Sequence, residues 1–384
     1  MEDGVLKQLL KSKIGELFDN KRFIQDSTGS GSGNNWAHGY AGYGPAYRET
    51  LLESVRKTAE ECSSLQSFFL MHSLGGGTGS GLGSYILCAL EDAFPEVFRF
   101  TASVFPSEDD DVITSPYNSL LASTKLIEHA DCVLPIDNDS LMRMVRNMRD
   151  LEEGDQLAET AEEKRAAYKD MNSIVAHLLS NLTCSMRFPG SLNIDINEIT
   201  MNMVPFPRMH FLLSSISPLY SIKKTKKIPR SLDQIFLDAL NPKNQLIECE
   251  SYKGKTTAMG FLLRGDISFS DVSRNIEKIS KKVQMVDWNS EGFKYGICGV
   301  PTMNHDKALL CLTNNTAFSD ILRKIRRRFL KLYKKQFFLH HYTEYIERDL
   351  FDYSAEVNKG LIEEYCELRD RKAVGRVHRY RPLF

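Results

Sequence analysis

One segment of the sequence has a composition that points directly to chemistry, the glycine-rich stretch GGGTGSG at residues 75–81. Five of these seven residues are glycine, and the stretch lies between an apolar run typical of a strand, residues 65–74, and a run with helical spacing from Tyr85. Unpaired backbone N–H groups at the start of a helix attract anions, and glycine lets a phosphate approach them closely. The stretch therefore predicts a phosphate-binding loop. The alternative is a flexible glycine turn, which would be costly to order.

This loop differs from the two commonest nucleotide-binding patterns. It lacks the lysine that closes a Walker A loop, and no GxGxxG register can be drawn through it. We therefore expect neither a P-loop protein nor a dinucleotide-binding enzyme.

The elements that must position the loop predict a parallel α/β sheet. Strand-like stretches at residues 65–74, 99–105 and 130–136 alternate with helical stretches, among them residues 117–129. Alternation of this kind is typical of parallel sheets, in which helices connect the strands. An apolar stripe through residues 51–62 predicts a further helix ahead of the loop.

The composition changes after this region. Acidic and small residues at 151–163 predict a solvated loop or insertion, and a helix is expected over residues 168–184. The following part of the chain is mixed, with strand-like stretches at 209–214, 257–263 and 308–312 and a helix near 232–240. This mixture predicts a second, α+β domain.

The C-terminal region is predicted to be helical with one basic face. Apolar residues at positions 321, 325, 329 and 332 follow the spacing of an amphipathic helix. The opposite face carries Arg323, Lys324, Arg326, Arg327, Arg328, Lys331, Lys334 and Lys335. Such a face is usually solvated, and the alternative is a contact with an acidic partner.

The bulk composition excludes several classes of protein. Among 384 residues, 49 lysines and arginines balance 50 aspartates and glutamates, so the net charge of −1 predicts no nucleic-acid binding through global charge. No apolar run approaches the roughly 18 residues of a membrane-spanning helix, and we expect a cytoplasmic protein. The eight cysteines are scattered singly, without CxxC pairs, and predict reduced, mostly buried thiols with no zinc site and no disulfide framework.

The glycine loop GGGTGSG resembles the signature of the tubulin superfamily, which the bacterial division-ring GTPases share in closely related form. Three further segments resemble eukaryotic tubulins: residues 33–39 (GNNWAHG), 187–193 (RFPGSLN) and 202–208 (NMVPFPR). The similarity runs from Met1 to about Cys366. Within the family, the epsilon-tubulin branch is the most similar at residues 108–118, 128–135 and 339–342.

The resemblance implies the tubulin fold: a Rossmann-like α/β parallel-sheet GTPase domain, a core helix, an α+β intermediate domain and a C-terminal helical pair. On this sequence, the GTP-binding domain would span residues 1–187 and include a core helix at about 168–184. The intermediate domain would span residues 188–318, and the C-terminal helical region with a basic tail would span 319–384. These boundaries agree with the shifts in sequence pattern.

The resemblance also implies a site for GTP or GDP, with Mg²⁺ expected in the complete protein. It assigns phosphate contacts to Ser32, Gly33, Asn34, Gly75, Gly76, Gly77, Thr78, Gly79, Ser80 and Gly81. It assigns contacts near the ribose to Val104, Pro106 and Asp111, and contacts with the guanine to Asn138, Tyr168 and Asn172. Each position has a structural alternative: Asn34 can occupy a turn, Asp111 can cap a helix, and Asn172 can face solvent.

The resemblance assigns one catalytic residue, Glu198, which falls where α-tubulin has an acidic residue at its contact with the next subunit. A carboxylate inserted into a neighbour's nucleotide site can orient or deprotonate the water that attacks the γ-phosphate. Assembly-dependent GTP hydrolysis is therefore an expectation. The alternative is structural, since Asp195 and Glu198 have the spacing of a capping box.

The implied function is that of a GTP-binding cytoskeletal protein of the centrosome, centrioles or basal bodies, where it would form or stabilise compound microtubules. The expected partners are other tubulin subunits, through longitudinal and lateral contacts, and centriolar or basal-body microtubules, with no membrane and no nucleic acid. The segment similar to the lateral-contact loop is basic, with Lys223, Lys224, Lys226, Lys227 and Arg230. The alternative is a structural module that binds partner tubulins without hydrolysing GTP, or a truncated chain that binds no nucleotide.

The sequence departs from the family at four places, one of which is the insertion at residues 151–163 ahead of the helix that carries Tyr168 and Asn172. Met1–Gly4 resemble a point inside the nucleotide domain, so we expect this chain to lack the family's first strand, first phosphate loop and magnesium-proximal acidic loop, and to expose a sheet edge. Ser115 stands where α- and β-tubulins carry an acidic residue near the ribose. Arginines and lysines outnumber acidic residues after Cys366, where α- and β-tubulins end in an acidic tail.

Overall fold

The computed structural model describes residues 3–19, 22–26, 31–107, 110, 112–153, 161–219, 230–303 and 305–371. Within these residues the helices are α1 (Asp3–Leu10), α2 (Gly44–Glu60), α3 (Gly83–Ala93), α4 (Ser115–His129), α5 (Asn138–Glu153), α6 (Ala161–Leu182), α7 (Cys184–Arg187), α8 (Ile196–Met203), α9 (Leu232–Ala239), α10 (Phe269–Ser280), α11 (Phe318–Tyr333), α12 (His340–Thr343) and α13 (Asp349–Asp370). The strands are β1 (Ser67–Ser73), β2 (Phe98–Phe105), β3 (Cys132–Asp137), β4 (Leu212–Ser217), β5 (Thr256–Gly265), β6 (Phe293–Cys298) and β7 (Lys307–Asn315).

The chain divides into two compact units. The first comprises Met1–Asp139 and Leu322–Lys359, and the second comprises Ser140–Ile321 and Gly360–Phe384. The three-domain division expected from the sequence stays a prediction.

The first unit contains the predicted parallel sheet, in the order β1-β2-β3. Helix α3 connects β1 to β2 and helix α4 connects β2 to β3, so strands and helices alternate as expected. The register pairs Ser73 with Val104, and Phe105 with Asp137. The carboxyl ends of the three strands therefore meet at one edge of the sheet, where the glycine loop begins.

Helix α4 is almost completely buried. Nearly every residue from Ser115 to Ile127 is shielded from solvent. Its Tyr117 is fully buried and packs edge to face against Phe329 and Phe351, with ring centroids 5.6 and 5.7 Å apart. Each fully buried aromatic or aliphatic side chain contributes about 1.5–3 kcal/mol to folding. This cluster joins α4 to α11 and α13 within the first unit.

Strand β1 lies at the edge of the described sheet and is more exposed than β2 or β3. Its Met71 is 62% exposed. Next to it, residues of α2, β1 and α3 line an apolar groove of about 340 Å³, among them Val55, Phe68 and Leu90.

The second unit contains a mixed sheet in the order β4-β7-β5-β6. Strands β4 and β7 and strands β5 and β7 are antiparallel, whereas β5 and β6 are parallel. All ten residues of β5 are buried, which requires cover on both faces of the sheet. Phe261 and its alternate neighbours pack against Phe236 of α9, while Gly260, on the other face, lies against Met203 of α8.

Two predictions about this unit were incomplete. The predicted acidic loop at 151–163 is partly helical, because α5 continues to Glu153 and α6 begins at Ala161, and residues 154–160 lie outside the described part. Strand β6 and helix α10 were not predicted. Gly296 interrupts the apolar pattern of β6, and α10 presents only a narrow buried stripe, Val272, Asn275 and Ile279, among charged residues.

The cysteines behave as predicted, since all eight are free and five of them are buried. The basic lateral segment at 223–227 and the tail from 372 lie outside the described residues. Arg230 is described, and it pairs with Asp238 of α9. Among the described residues, no helix has the length and apolarity needed to cross a membrane.

The predicted basic face of α11 is present in the structure. Arg323, Lys324, Arg327 and Lys331 are exposed, whereas Arg328 is partly buried and donates from Nη1 to the carbonyl oxygen of Ser107 at 2.7 Å. The apolar stripe packs inward, with Phe329 fully buried.

Candidate functional site

The candidate site is built from two loops of the first unit, which we call the 32–35 loop and the 75–78 loop. The 75–78 loop follows β1, and the chain continues from it directly into a helical turn at Thr78–Leu82 and then into α3. The predicted strand-to-helix loop is therefore present, although the helix begins several residues earlier than the spacing from Tyr85 indicated. Ser32 Oγ lies 3.1 Å from Thr78 Oγ1, so the two loops are hydrogen-bonded to each other.

The 32–35 loop has an unusual backbone conformation. Gly31, Gly33 and Asn34 have φ angles of +62°, +57° and +55°. Glycine adopts this region freely, and asparagine is one of the few other residues that tolerate it. The turn alternative for Asn34 is thus correct as a description of its backbone, and this conformation is one that forms anion-binding concavities from successive N–H groups.

The glycines of the 75–81 segment fall into two groups according to what surrounds them. A Cβ built at Gly77 would lie 2.5 Å from Asn35 N, one at Gly79 would lie 2.9 Å from Ser73 O, and one at Gly81 would lie 2.3 Å from Trp36 O. These three glycines permit close packing of backbone against backbone. By contrast, a Cβ built at Gly76 would meet only Asn34 Oδ1, at 3.8 Å, so this position faces open space.

Ser80 also has a structural role in this segment. It is fully buried, and its hydroxyl donates to the carbonyl oxygens of Gly76 and Gly77. Gly81 N donates to Gly77 O at 2.8 Å, which closes the first turn of the helix. These hydrogen bonds hold the backbone of residues 76–81 in a helical turn.

His72 supports the same segment from the strand side. Its Nδ1 donates to the carbonyl oxygen of Gly79 at 2.9 Å, and its Nε2 accepts from Ser103 Oγ at 3.0 Å. A carbonyl oxygen can only accept, which assigns the proton to Nδ1. Burial lowers the pKa of His72, so the neutral imidazole is the form that the structure stabilises.

Asn118 of α4 ties both loops to the core, and the sequence did not identify it as a site residue. Its Nδ2 donates to Asn34 O and to Gly75 O, both at 2.8 Å. Thr114 adds a third bond, from Oγ1 to Asn34 O at 3.1 Å. Asn118 can be identified as a site residue because it is an amide side chain in a helix whose other residues are almost all buried. A buried amide needs hydrogen-bond partners, and here the two loops supply them.

Two of the three residues predicted near the ribose, Val104 and Pro106, lie at the carboxyl edge of the sheet. Leu74 N donates to Val104 O at 2.9 Å, and Pro106 Cβ is 3.5 Å from a Cβ built at Gly75. Asp111 lies outside the described residues, so neither its predicted contact nor its capping alternative is described. Its neighbour Asp110 has a carboxylate oxygen 2.9 Å from the built Gly75 Cβ.

The chemistry of these donors fits an anion. Glycine N–H groups, the Ser32 and Thr78 hydroxyls and the start of a helix converge in one place, and all of them can donate to phosphate oxygens. Ser115 supplies a further hydroxyl beside Gly75. This hydroxyl is buried and has no hydrogen-bond partner within the described residues. Those residues contain no group of three or more His, Cys, Asp or Glu that could hold a metal ion.

The residues predicted to hold the guanine belong to both units. Asn138 is exposed at the end of β3 in the first unit. Tyr168 and Asn172 lie in α6 of the second unit, where both are exposed and their spacing of four residues places them on one face. Ala167 and Met171 on the same helix are buried.

Glu198 lies in the first turn of α8 in the second unit, and its side chain is 45% exposed. The predicted capping box is not formed: Asp195 is the N-cap residue, but its side chain makes no capping hydrogen bond. The carboxylate instead lies 3.8 Å from Lys294 Nζ of β6. A complete capping box does occur at the start of α9, between Ser231 and Gln234.

The exposed side of α8 carries one large apolar side chain, Met201, beside the polar residues Asn197, Glu198 and Asn202. Met201 is 73% exposed, and Phe206 and Trp288, both about half exposed, pack edge to face with centroids 5.8 Å apart. The buried face carries Ile196, Ile199 and Met203. The helix therefore presents the Glu198 carboxylate and the Met201 side chain away from its buried face.

Comparison with known proteins identifies two family models along the chain. Residues 1–146 match the model described as the Tubulin/FtsZ family, GTPase domain, and residues 207–327 match the Tubulin C-terminal domain. Both loops of the candidate site and Asn118 lie within the first match.

Individual relatives cover nearly the whole chain. The chain is 45% identical to the tubulin epsilon chain of Mus musculus, over 97% of its own length and 82% of that protein. It is also 45% identical to the tubulin epsilon chain of Homo sapiens, over 96% of its length and 80% of that protein. The identity to the tubulin alpha-3 chain of Saccharomyces cerevisiae is 34%, over 96% and 82% of the two lengths.

Proposed function

The chain belongs to the tubulin family and carries the family's GTPase domain, and from this we propose that the 32–35 and 75–78 loops bind the phosphates of GTP or GDP. In this proposal the N–H groups of the 75–78 loop donate to phosphate oxygens, together with the one hydroxyl of the Ser32–Thr78 pair that does not give its proton to the other. Asn138, Tyr168 and Asn172 bind the guanine, whose edge suits amide donors and acceptors and whose face suits a tyrosine ring. Val104, Pro106 and Asp111 would contact the ribose, and Mg²⁺ would accompany the phosphates.

The observation that carries this proposal is the open space beside two glycines, Gly33 and Gly76. A Cβ built at Gly33 meets no atom within 4 Å, and one built at Gly76 meets only Asn34 Oδ1 at 3.8 Å. Backbone packing explains the glycines at 77, 79 and 81, and the φ angle of +57° explains Gly33, but neither reason applies to Gly76. Glycine at position 76 is what close approach of an anion requires.

The test is a titration with a fluorescent guanine nucleotide. Gly76→Ala places a methyl group in the open space, where its only neighbour is at ordinary van der Waals distance, so the fold is retained while phosphate is excluded. We expect a loss of affinity of about tenfold or more, the equivalent of one charge-assisted hydrogen bond. Gly299→Ala, whose added carbon also meets its nearest atom at an ordinary distance, 3.7 Å from Pro189 O, is the matched control. Equal affinity of Gly76→Ala and the parent would contradict the proposal.

We propose further that Glu198 acts on the nucleotide of a neighbouring subunit. The carboxylate would orient the attacking water and accept its proton, so that hydrolysis occurs only on assembly. Its position supports this role, because Glu198 lies on the outward face of α8 beside the exposed side chain of Met201. The Lys294 ammonium at 3.8 Å supports the alternative, in which the carboxylate is structural and the protein binds partner tubulins without turnover.

Two substitutions separate these alternatives. Glu198→Gln keeps the size of the side chain and removes its basicity, so GTP turnover of assembled protein falls if the carboxylate acts on water. Lys294→Met removes only the ion pair. A catalytic carboxylate predicts that turnover is lost in Glu198→Gln and kept in Lys294→Met, whereas a structural ion pair predicts that both variants lose assembly alike.

The cellular role we propose is formation or stabilisation of compound microtubules at centrioles or basal bodies, with other tubulin subunits as partners. The similarity to epsilon chains supports this role, since the identity to them exceeds the identity to the yeast alpha chain. Imaging of a fluorescently tagged full chain tests it. Enrichment at centrosomes or basal bodies is expected, and uniform incorporation along cytoplasmic microtubules would contradict it.

A further inference from the structure

The amide of Asn118 is fully used, and its orientation is unambiguous. Besides the two bonds from Nδ2 to Asn34 O and Gly75 O, Oδ1 accepts from Trp36 N at 2.9 Å and from Tyr342 OH at 2.6 Å. A backbone N–H can only donate and a carbonyl oxygen can only accept, so the amide cannot be reversed without breaking three bonds. The side chain is completely buried, where every lost bond is costly.

These bonds decide how the 75–78 loop presents its backbone. In a trans peptide the C=O and the following N–H point in opposite directions. Because Asn118 holds the Gly75 carbonyl toward α4, the N–H of Gly76 points away from α4. Gly76 is also the glycine of this loop that faces open space. Asn118 thus orients a donor that the proposed function assigns to phosphate.

Tyr342 connects this arrangement to the C-terminal part of the same unit. It lies in α12, is completely buried, and packs against Tyr117 with ring centroids 5.3 Å apart. Burial raises the pKa of Tyr342, so its hydroxyl stays protonated and remains a donor to Asn118 at any physiological pH. The adjacent residue makes a second link, since Asn35 Nδ2 donates to His341 O at 2.8 Å.

The connection between α11 and α13 is held near the loops by one more bond, from Tyr117 OH to Phe337 O at 2.7 Å. Gln336 and Phe338 on either side have φ angles of +56° and +58°, a conformation that costs non-glycine residues of order 1 kcal/mol. The side chains of Phe337 and His341 are exposed, but their backbone carbonyls are held by hydrogen bonds. Tyr117 of α4 bonds the carbonyl of Phe337, and Asn35 of the 32–35 loop bonds that of His341.

We propose that Asn118 is a positioning residue for the phosphate loops and that Tyr342 holds its amide in place, so that nucleotide binding and the order of the 337–345 segment are energetically coupled. This inference rests on the proposed function. Coupling of this kind is reciprocal: if the ordered segment favours nucleotide binding, then bound nucleotide must favour the ordered segment.

The test uses Tyr342→Phe in the full chain, which removes one hydroxyl and keeps the buried ring. Tyr353→Phe is the control, because its hydroxyl also makes one bond within the same unit, to Glu128 Oε1 at 2.5 Å, away from the loops. Two quantities are measured: guanine nucleotide affinity, and amide hydrogen exchange of residues 31–36, 75–78 and 337–345 with and without GTP. Asn118→Asp, which turns two donors into acceptors facing carbonyls, is a stronger second variant.

In the parent, GTP is expected to slow exchange in the 337–345 segment. In Tyr342→Phe, we expect affinity to fall about tenfold, exchange of both loops to accelerate, and GTP no longer to protect residues 337–345. Loss of protection by GTP is not expected from a merely structural role, which would accelerate exchange throughout the unit. A Tyr342→Phe protein that binds GTP as tightly as the parent overturns the inference, whatever its exchange rates without ligand.

The outcomes also separate this inference from the proposed function. If the parent binds no guanine nucleotide, the proposed function fails, and the exchange rates without ligand still decide whether Tyr342 positions the loops. If the parent binds nucleotide and Tyr342→Phe binds it equally well, the proposed function stands and the coupling fails. If Asn118→Asp does not fold, Tyr342→Phe alone decides.

Discussion

Ser32 Oγ and Thr78 Oγ1 lie 3.1 Å apart, although 46 residues separate them in the sequence. Ser32 is almost completely buried, so this hydrogen bond is shielded from water. The bond joins the 32–35 loop, which contains left-handed residues, to the 75–78 loop, which continues into a helix. The two loops of the candidate phosphate site are therefore held together by a direct hydrogen bond between their side chains.

The first prediction concerns this pair. Ser32→Ala and Thr78→Val each remove one hydroxyl, and because each hydroxyl contacts the other, the double variant should lose less stability than the sum of the single variants. We expect a coupling energy of about 0.5–1.5 kcal/mol, typical of a hydrogen bond between contacting side chains. Urea unfolding of the four proteins measures it. Strict additivity would show that the two hydroxyls do not interact.

The second prediction concerns close packing at Gly81. Gly81→Ala would place a methyl carbon 2.3 Å from the carbonyl oxygen of Trp36, a backbone atom that cannot move alone. We expect a loss of about 1–3 kcal/mol of stability, seen as a lower Tm. Gly360→Ala is the control, because its added carbon meets only Arg208 Nη2, at 3.7 Å. An unchanged Tm for Gly81→Ala would contradict the packing of Trp36 against the glycine segment.

The third prediction is a pH dependence that arises from His72. Burial lowers its pKa in the folded protein, whereas the pKa in the unfolded chain is about 6.5. Between these two values the unfolded state binds more protons, so the free energy of unfolding falls as the pH decreases from about 6.5 toward the folded pKa. Urea unfolding between pH 7.5 and 5 measures the slope. His72→Gln should remove its contribution, and His340→Gln, at an exposed position, should not.

The fourth prediction concerns thiol reactivity. Cys62 is the exposed cysteine, whereas burial raises the pKa of Cys88 and of Cys311 to about 11. The thiolate is the reactive form, so these two thiols are slow even where reagent reaches them. Cys366, which is only partly buried, is replaced by serine in the protein used for this test. Titration of Cys366→Ser with a thiol reagent at pH 8 should show one fast phase, which the further change Cys62→Ser abolishes. A fast phase that persists in the double variant would contradict the slow reaction expected of Cys88 and the burial of the other five cysteines.

Much of the first unit could be predicted from the sequence because its strands and helices alternate with clear periodicity. The 75–78 loop was found by composition, and β1, β2 and β3 by their apolar runs. The start of the helix after the loop was misplaced, because Thr78–Leu82 contains two glycines and a serine, residues with poor helix propensity. Tertiary packing of Gly79 and Gly81 against neighbouring backbone stabilises this turn, and no single-sequence pattern reports such packing.

The remaining site residues illustrate a different limit. Asn118 and Tyr342 are 224 residues apart, and their hydrogen bond depends on how α4 and α12 pack, which spacing along the chain does not encode. The capping box predicted at Asp195 had the right residue types but was not formed, whereas the one at Ser231 was formed without being predicted. Residue types permit a local bond, and the surrounding packing decides whether the side chain adopts the rotamer that makes it.

The most direct test of the account is the nucleotide content of the purified chain. The protein is denatured, and the released material is separated by chromatography and compared with guanine and adenine nucleotide standards. If the two loops bind guanine nucleotide, the parent chain and Gly299→Ala each release close to one equivalent of GTP or GDP. Gly76→Ala, prepared in parallel, releases much less. A folded parent chain that releases no guanine nucleotide, and binds none when GTP is added, would contradict the assignment of the two loops as a nucleotide site.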